Sequence, residues 1–525
     1  MKSSFDIVPK LILFVTLRQA QDDSLGLILQ RSLFKKIVVV LLFLTVFTLA
    51  KAQDTTFFYS YGTTGQDYGK DAIITYDGGL AIVGATSGNN LNNTSIYLTK
   101  LDSNCNVEWT NAIGTTVAEW GNCITQTPDS GYIIGGFRNT STIKGYDALV
   151  VKVDKNGDHV WSKYFGANDW DFIYDVTPTN DGNYLLCGET YSYGKGKNDI
   201  YVIKIDDIGD TLWTKTYGNT GSDKAHAITS TDDGNYVLAG STTSFGLDSS
   251  QVYFVKINNS GDTLWTKMIG SSGTEEAFDI IESQDKGLIV TGYTIRFSTK
   301  DKDVYLAKTD ENGSFLWEKY FGRIGTPELN KDDEGFSVVE LSNGKLLTLG
   351  YTKTFGTLGT KDIYAPHTNS NGSWIKGPVY GKYEDEAIYK VLQKNDSTIY
   401  YIGSTNSWGN GLNDQLLVKV TENLLSPEDK FTSDIDISSF TVGENNRKYS
   451  SNDNLIIHNT FNHIGFKLEN KKNTDLFIYD SLGKLVLKTT FTDNYILRKN
   501  QFNSGLFYYT INHDFSTSGS FFINE

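Results

Sequence analysis

Seven carboxylates recur at one register of this chain. Asp67, Glu119, Asp171, Asp223 and Glu275 each follow a glycine by five residues, and Asp333 and Asp385 hold the same place in two displaced repeats. Acids gathered on one rim capture a cation or draw in a basic ligand, because like charges held together raise each other's pKa or recruit a counter-ion. The bland alternative is that each accepts backbone N–H bonds from the turn before it. Aromatic residues supply a second chemistry. Trp120 and Trp170 stand in connections between repeats, where a flat indole suits the apolar face of a sugar; ordinary surface aromatics are the competing reading. Trp109, Trp161, Trp213, Trp265 and Trp317 are instead spaced 52 residues apart, with Phe57 the same step before the first. One ring at one register of every repeat reads as burial between neighbouring units rather than as a sugar platform.

Other columns carry less. Lys100, Lys152, Lys204, Lys256, Lys308 and Lys419 are expected on a solvated strand edge with scattered ion pairs. Asp154-Lys155-Asn156-Gly157 and Asp310-Glu311-Asn312-Gly313 suggest calcium loops but lack the closing bidentate Glu, and turn chemistry explains them. The six histidines, His159, His226 and His367 among them, fall at unrelated registers, and no Gly-x-Ser-x-Gly elbow occurs. No catalytic residue, metal or cofactor is expected from these patterns. Cys105, Cys123 and Cys187 have no C-x-x-C spacing and allow at most one disulfide. A formal charge of -15 repels a phosphate backbone, which argues against nucleic acid as partner.

Something must hold these columns in place, and the period says what. Glycines at 84, 136, 188, 240, 292, 350 and 403 give seven repeats. Within one repeat, Ala225–Ser230, Tyr236–Ser241, Val252–Ile257 and Thr263–Ile269 read as four strands, joined by glycine- and asparagine-bearing turns. A four-stranded meander cannot hide both its apolar faces alone, so seven of them must stack around an axis as an all-β, seven-bladed propeller. The acid column then lies at one mouth of the central channel. The seventh repeat stops after its third strand, Leu416–Val420, and Asp54–Gly62 aligns with the fourth strand of the other repeats. The N-terminal strand should therefore close the ring. Insertions at Arg323–Asp332 and Tyr364–Pro378 in the last two repeats are where an added site belongs.

The ends carry addresses. Lys35-Lys36, an apolar run from Ile37 to Ala50, and Ala50-Lys51-Ala52 predict a signal peptide cleaved before Gln53, with the acidic pair Asp22-Asp23 pointing to a start codon set too early. The apolar run is too short for a retained transmembrane helix. The expected division is leader at 1–52, propeller at 53–424, linker at 425–448 and a small β-sandwich at 449–525.

The repeat, over nearly all of 54–424, resembles β-propeller repeats of surface proteins in Bacteroidota and some archaea. Asp154-Lys155-Asn156-Gly157-Asp158-His159-Val160-Trp161 also looks like the tryptophan-docking motif of quinoprotein dehydrogenases, one residue short, without the acids, asparagine and vicinal cysteines that hold their cofactor. In the tail, Asp480-Ser481-Leu482-Gly483-Lys484-Leu485-Val486 and Phe502-Asn503-Ser504-Gly505-Leu506-Phe507-Tyr508-Tyr509 resemble the C-terminal sorting domain of type IX secretion substrates. Ser451-Asn452-Asp453-Asn454 replaces that family's Pro-Asn-Pro opening, and the chain ends on Glu525 rather than a basic residue. The resemblance implies engagement of the type IX machinery, passage across the outer membrane and removal of the tail. The expectation is a secreted or cell-surface propeller that binds a glycan or protein; the alternative is a secreted hydrolase or quinoprotein-like oxidoreductase on the same scaffold.

Overall fold

The computed structural model describes residues 57–421, except 89–92, 142–144, 246–248, 271–272, 296–299, 323–330, 356–360, 382–383, 397 and 408–411, and beyond them the strands between Arg447 and Ile523. The leader, most of the linker, Trp408 and most of the Arg323–Asp332 insertion lie outside the described residues. Among those described, no helix is long and apolar enough to cross a membrane.

Seven antiparallel sheets form the ring, blades 1 to 7 in chain order over 67–113, 119–165, 171–217, 223–269, 274–321, 333–380 and 386–421 with 57–61. Blade 4 is Asp223–Ser230, Tyr236–Thr242, Gln251–Ile257 and Thr263–Ile269, within two residues of the strands read from sequence. Its innermost strand alternates in burial, its second strand is buried throughout, and its outer strand is largely exposed. The core lies between blades. One apolar cluster joins Ile133, Ala148 and Val150 of blade 2 to Ile173, Leu186 and Ile203 of blade 3. Blade 7 is Glu386–Asn395, Thr398–Thr405 and Asp414–Thr421, and its outer strand is Phe57–Tyr61. Phe57 pairs with Lys419 as Trp109 pairs with Lys100 and Trp213 with Lys204, so the N-terminal strand closes the ring in the register of every other outer strand. Phe58 sits among blade 6 and 7 residues, and the Tyr61 hydroxyl donates to the Cys105 carbonyl of blade 1 at 3.0 Å.

Two columns acquire physical reasons. Every innermost strand carries a β-bulge, between Gly69 and Asp71 in blade 1 and between Ala225 and Ala227 in blade 4. The bulge pushes a carbonyl at the second strand: a Cβ on Gly240 would lie 2.0 Å from the Lys224 oxygen, and one on Gly84 1.7 Å from that of Tyr68. Only glycine fits. The column tryptophans pack under the outer hairpin of the next blade, where a Cβ on Gly209 would meet the Trp161 ring at 2.9 Å and one on Gly261 the Trp213 ring at 2.8 Å.

The lysine column departs from the expected solvated edge. Lys100, Lys152, Lys204, Lys256 and Lys308 are all buried. Each meets an aspartate in the first hairpin of its own blade, such as Asp181 at 2.6 Å from Lys204 and Asp285 at 2.6 Å from Lys308. The partner stands 23 residues earlier, because the hairpin folds its turn back onto the third strand. Blade 6 breaks the rule at both ends: His367 replaces the lysine and Asn343 the aspartate. The three cysteines are buried and unpaired.

The tail strands from Arg447 to Ile523 form two four-stranded antiparallel sheets, one of them built on Thr474–Asp480, Leu485–Phe491 and Gly505–Asn512.

Candidate functional site

The acid column is not a channel rim. Asp67, Glu119, Asp171, Asp223, Glu275 and Asp333 are buried inside the blades, because side chains alternate along the innermost strand and this register faces the blade interface. They tie loops to strands. Asp223 accepts the backbone N–H of Asn219 at 2.9 Å and the hydroxyls of Thr242 and Ser244, and Asp171 accepts those of Thr190 and Ser192. Glu119 takes the Thr115 N–H at 2.9 Å. Burial raises the carboxyls of Glu119 and Asp171, and takes Asp333 up to about 6. In blade 7 the register differs from the sequence reading. Glu386, not Asp385, faces Thr405 as Asp67 faces Thr86, while Asp385 is exposed and accepts the Lys361 N–H.

The channel is lined instead by the bulge residues Lys70, Asn122, Tyr174, His226, Phe278, Phe336 and Tyr389. Their rings run from blade to blade around the axis: Tyr174 to His226 at 4.8 Å, His226 to Phe278 at 5.1 Å, Phe278 to Phe336 at 5.1 Å and Phe336 to Tyr389 at 5.0 Å. The Lys70 ammonium then lies 3.9 Å from the Tyr389 ring, and burial brings it down to about 8. Next to this plug, Asp71, Asp175 and Asp279 come from alternate blades and cap backbone N–H groups of the blade that follows each: Ile124, Ile228 and Val338, all at 2.8 to 2.9 Å. Seven is odd, so the alternation cannot close, and blade 7 supplies Lys390, 3.5 Å from Asp71. Asp71, with Asp279 and Asp175, holds that ammonium well above the usual lysine range; burial pushes Asp175 up to about 7 against its pull. Among the described residues no group of three ligating side chains could hold a metal ion.

Trp120 and Trp170 do come together. Trp170 stands in the connection entering blade 3, whereas Trp120, expected in a connection, is the second residue of blade 2's innermost strand and pairs with Phe137 of the second strand. Trp120 stacks on Phe137 at 4.8 Å, Phe137 meets Tyr146 at 5.5 Å, and Tyr146 meets Trp170 at 5.8 Å. Tyr191 extends the arc, 6.0 Å from Trp170. Trp170 is 47% exposed yet fixed, since its ring lies where a Cβ on Gly145 would be, 2.1 Å from Cδ1. Through Phe172, stacked on Tyr174 at 6.0 Å, the arc continues into the plug. Charged groups stand beside it: Glu276 accepts from Lys224 and His226, both at 2.6 Å, and from the Tyr293 hydroxyl at 2.9 Å, and these partners hold its carboxyl well below the usual range against the cost of burial.

Phe137, Tyr146, Tyr191 and the plug were not among the candidates named with Trp120 and Trp170 from the sequence. The signal was present. Lys70, Asn122, Tyr174, His226 and Phe278 also step by 52, as a column of large or polar residues that follows glycine or alanine in every repeat but the third, where Ile173 precedes Tyr174.

No family model matches the sequence. Over 219 residues it is 22% identical to an uncharacterized WD repeat-containing protein of Acanthamoeba polyphaga mimivirus, a match covering 34% of this chain and 16% of that protein. The chain thus spans about a sixth of the relative's length. Solved structures similar in fold include Sqt1 from Chaetomium thermophilum, at 10% identity and TM-score 0.38, covering 70% of this chain and 98% of that one. PorZ, a surface component of the type IX secretion system of Porphyromonas gingivalis, is similar at 10% identity and TM-score 0.31, covering 86% of this chain and 69% of that one. The strand pairing above, not these scores, establishes that the chain carries a seven-bladed β-propeller.

Proposed function

We propose that this protein is an exported binding scaffold whose aromatic arc on blades 2 and 3 takes carbohydrate rings. One observation carries the reading: Trp170 and Tyr191 expose 47% and 40% of their surface while neighbouring rings and the Gly145 backbone hold the indole in place. Rigid, half-exposed aromatic faces lose little entropy on binding and match the C–H faces of pyranoses. Export is supported by Lys35-Lys36, the apolar run and Ala50-Lys51-Ala52, and by the sorting-type motifs of the tail, which would engage a type IX-like machinery.

The test is a glycan array on the mature chain, followed by calorimetric titration of the best hit against Trp170→Ala and Tyr191→Ala. Each variant should weaken binding at least tenfold without lowering the melting temperature. Undiminished affinity in both variants would place the ligand elsewhere, and an array without hits would remove the carbohydrate reading.

A further inference from the structure

Blade 6 is the irregular blade. Pro366 splits its third strand into Asp362–Tyr364 and His367–Thr368, and Pro378 splits its outer strand into Trp374–Lys376 and Val379–Tyr380. Trp374 pairs with Thr368 as Phe315 pairs with Thr309, so it sits two residues ahead of the tryptophan column, whose place in this strand is held by Lys376. A cleft of about 800 Å³ opens between blades 5 and 6. Two aromatic pairs wall it, Trp374 with Phe321 at 5.3 Å and Phe355 with Tyr364 at 5.4 Å. Trp374 and Phe355 are half-exposed, and at Gly377 a side chain would strike the Trp374 ring, its Cβ only 2.3 Å from Cη2.

The charge at this cleft also differs from the junctions of blades 2 with 3, 3 with 4 and 4 with 5. A lysine of the outer strand reaches the next blade's outer hairpin, where acids meet it: Lys163 pairs with Asp210 at 3.2 Å and Lys215 with Asp262 at 2.9 Å. Lys267 faces a serine at that place, Ser314, but still has Asp310 across the turn, whose carboxyl the turn's N–H groups, with a smaller pull from Lys267, hold below the usual range. Lys319 packs on Gly372 in the same way, and both acid positions are neutral, Asn369 and Ser373. Among the described residues it makes no ion pair, and it lines the cleft.

We infer that this cleft binds an acidic sugar, a uronic-acid residue whose apolar ring face lies on the aromatic walls and whose carboxylate meets the Lys319 ammonium. The volume suits one or two sugar rings. In a chain of formal charge -15, an ammonium left without its usual acids beside exposed aromatic rings selects an anion that is also a flat ring. The site is separate from the blade 2 and 3 arc, so either can fail without the other.

Titrating the full chain with dimers of galacturonate and of glucuronate, with lactose and benzoate as controls, and following tryptophan fluorescence tests the inference. Saturable binding of a uronate dimer is expected, weakened at least tenfold by Lys319→Ala and by Trp374→Ala, retained by Lys319→Arg, reduced by salt and untouched by Trp170→Ala. The variants should melt as the parent does. No saturable binding of either uronate, equal binding of lactose or benzoate, or unchanged affinity in Lys319→Ala would overturn it.

Discussion

His367 shows how one residue reports the physics of its blade. It occupies the place of the buried column lysines, and burial, with Lys376 and Lys345 adding repulsion, holds its imidazole down to about 3. Its Nε2 is buried without a hydrogen-bond partner. An unfolded chain takes up this proton below about pH 6.5, the folded chain only near 3, so between those values the unfolded state binds more protons. The stability tied to neutral His367 is complete above pH 6.5 and is lost as pH falls toward 3. His367→Leu should therefore flatten the acid limb by up to about 1.4 kcal/mol per pH unit and cost little at pH 7.5. Urea unfolding at pH 4.5, 5.5 and 7.5 measures this; parallel slopes for parent and variant would show that His367 is not the titrating group. Nothing in the sequence marked the residue, because its meaning lies in what it replaces, and the lysine column was itself read as solvated.

At the scale of the element, the recurring device is a hairpin turn clipped to the third strand of its own blade. Lys204 is buried, with Asp181 at 2.6 Å and the Asn259 side-chain oxygen at 2.7 Å. Removing the acid alone leaves a buried ammonium short of a counter-charge, so Asp181→Ala should cost about 3 kcal/mol, the low end for breaking a buried pair because Asp181 is partly exposed. Replacing both partners, Lys204→Met with Asp181→Ala, should recover more than half of that, as blade 6 already does without lysine or aspartate. A double-mutant cycle in urea decides; additive losses would mean the pair is uncoupled. The same scale explains what was legible. Strands and turns of blade 4 followed from alternation and glycine placement. The channel lining did not, because the bulge inserts a residue and shifts the side-chain alternation, so counting by twos from Asp67 sends the wrong column to the axis. Asp385 failed similarly: one extra residue before blade 7 moves the register to Glu386.

For the whole molecule, the blade number and the route of closure were legible because columns of tryptophan, glycine and acid step together and the seventh repeat lacks an outer strand. The aromatic arc was half legible: Trp120 and Trp170 stood out by breaking register, but Phe137 and Tyr146, which link them, hold no repeating position that marks them. The export reading makes its own prediction. Deleting 449–525 should leave the propeller in the periplasm, by surface protease accessibility, and full surface display of that truncation would remove the sorting role.

A rigid ring underlies both proposed sites, and it depends on Phe57–Tyr61 completing blade 7. Phe58 lies in the apolar cluster of blades 6 and 7, and Tyr59 and Tyr61 pack against that of blades 7 and 1, so this strand joins three blades. Phe58→Ala should lose about 3 to 5 kcal/mol, and deletion through Tyr61 exposes the edge of Asp414–Thr421 and should lower the cooperative transition of the whole ring. Thermal unfolding of the parent, Phe58→Ala and the strand deletion is the most direct measurement. The ring account predicts one cooperative transition shifted down by Phe58→Ala and lost to aggregation in the deletion; a deletion that melts like the parent would contradict closure by the N-terminal strand.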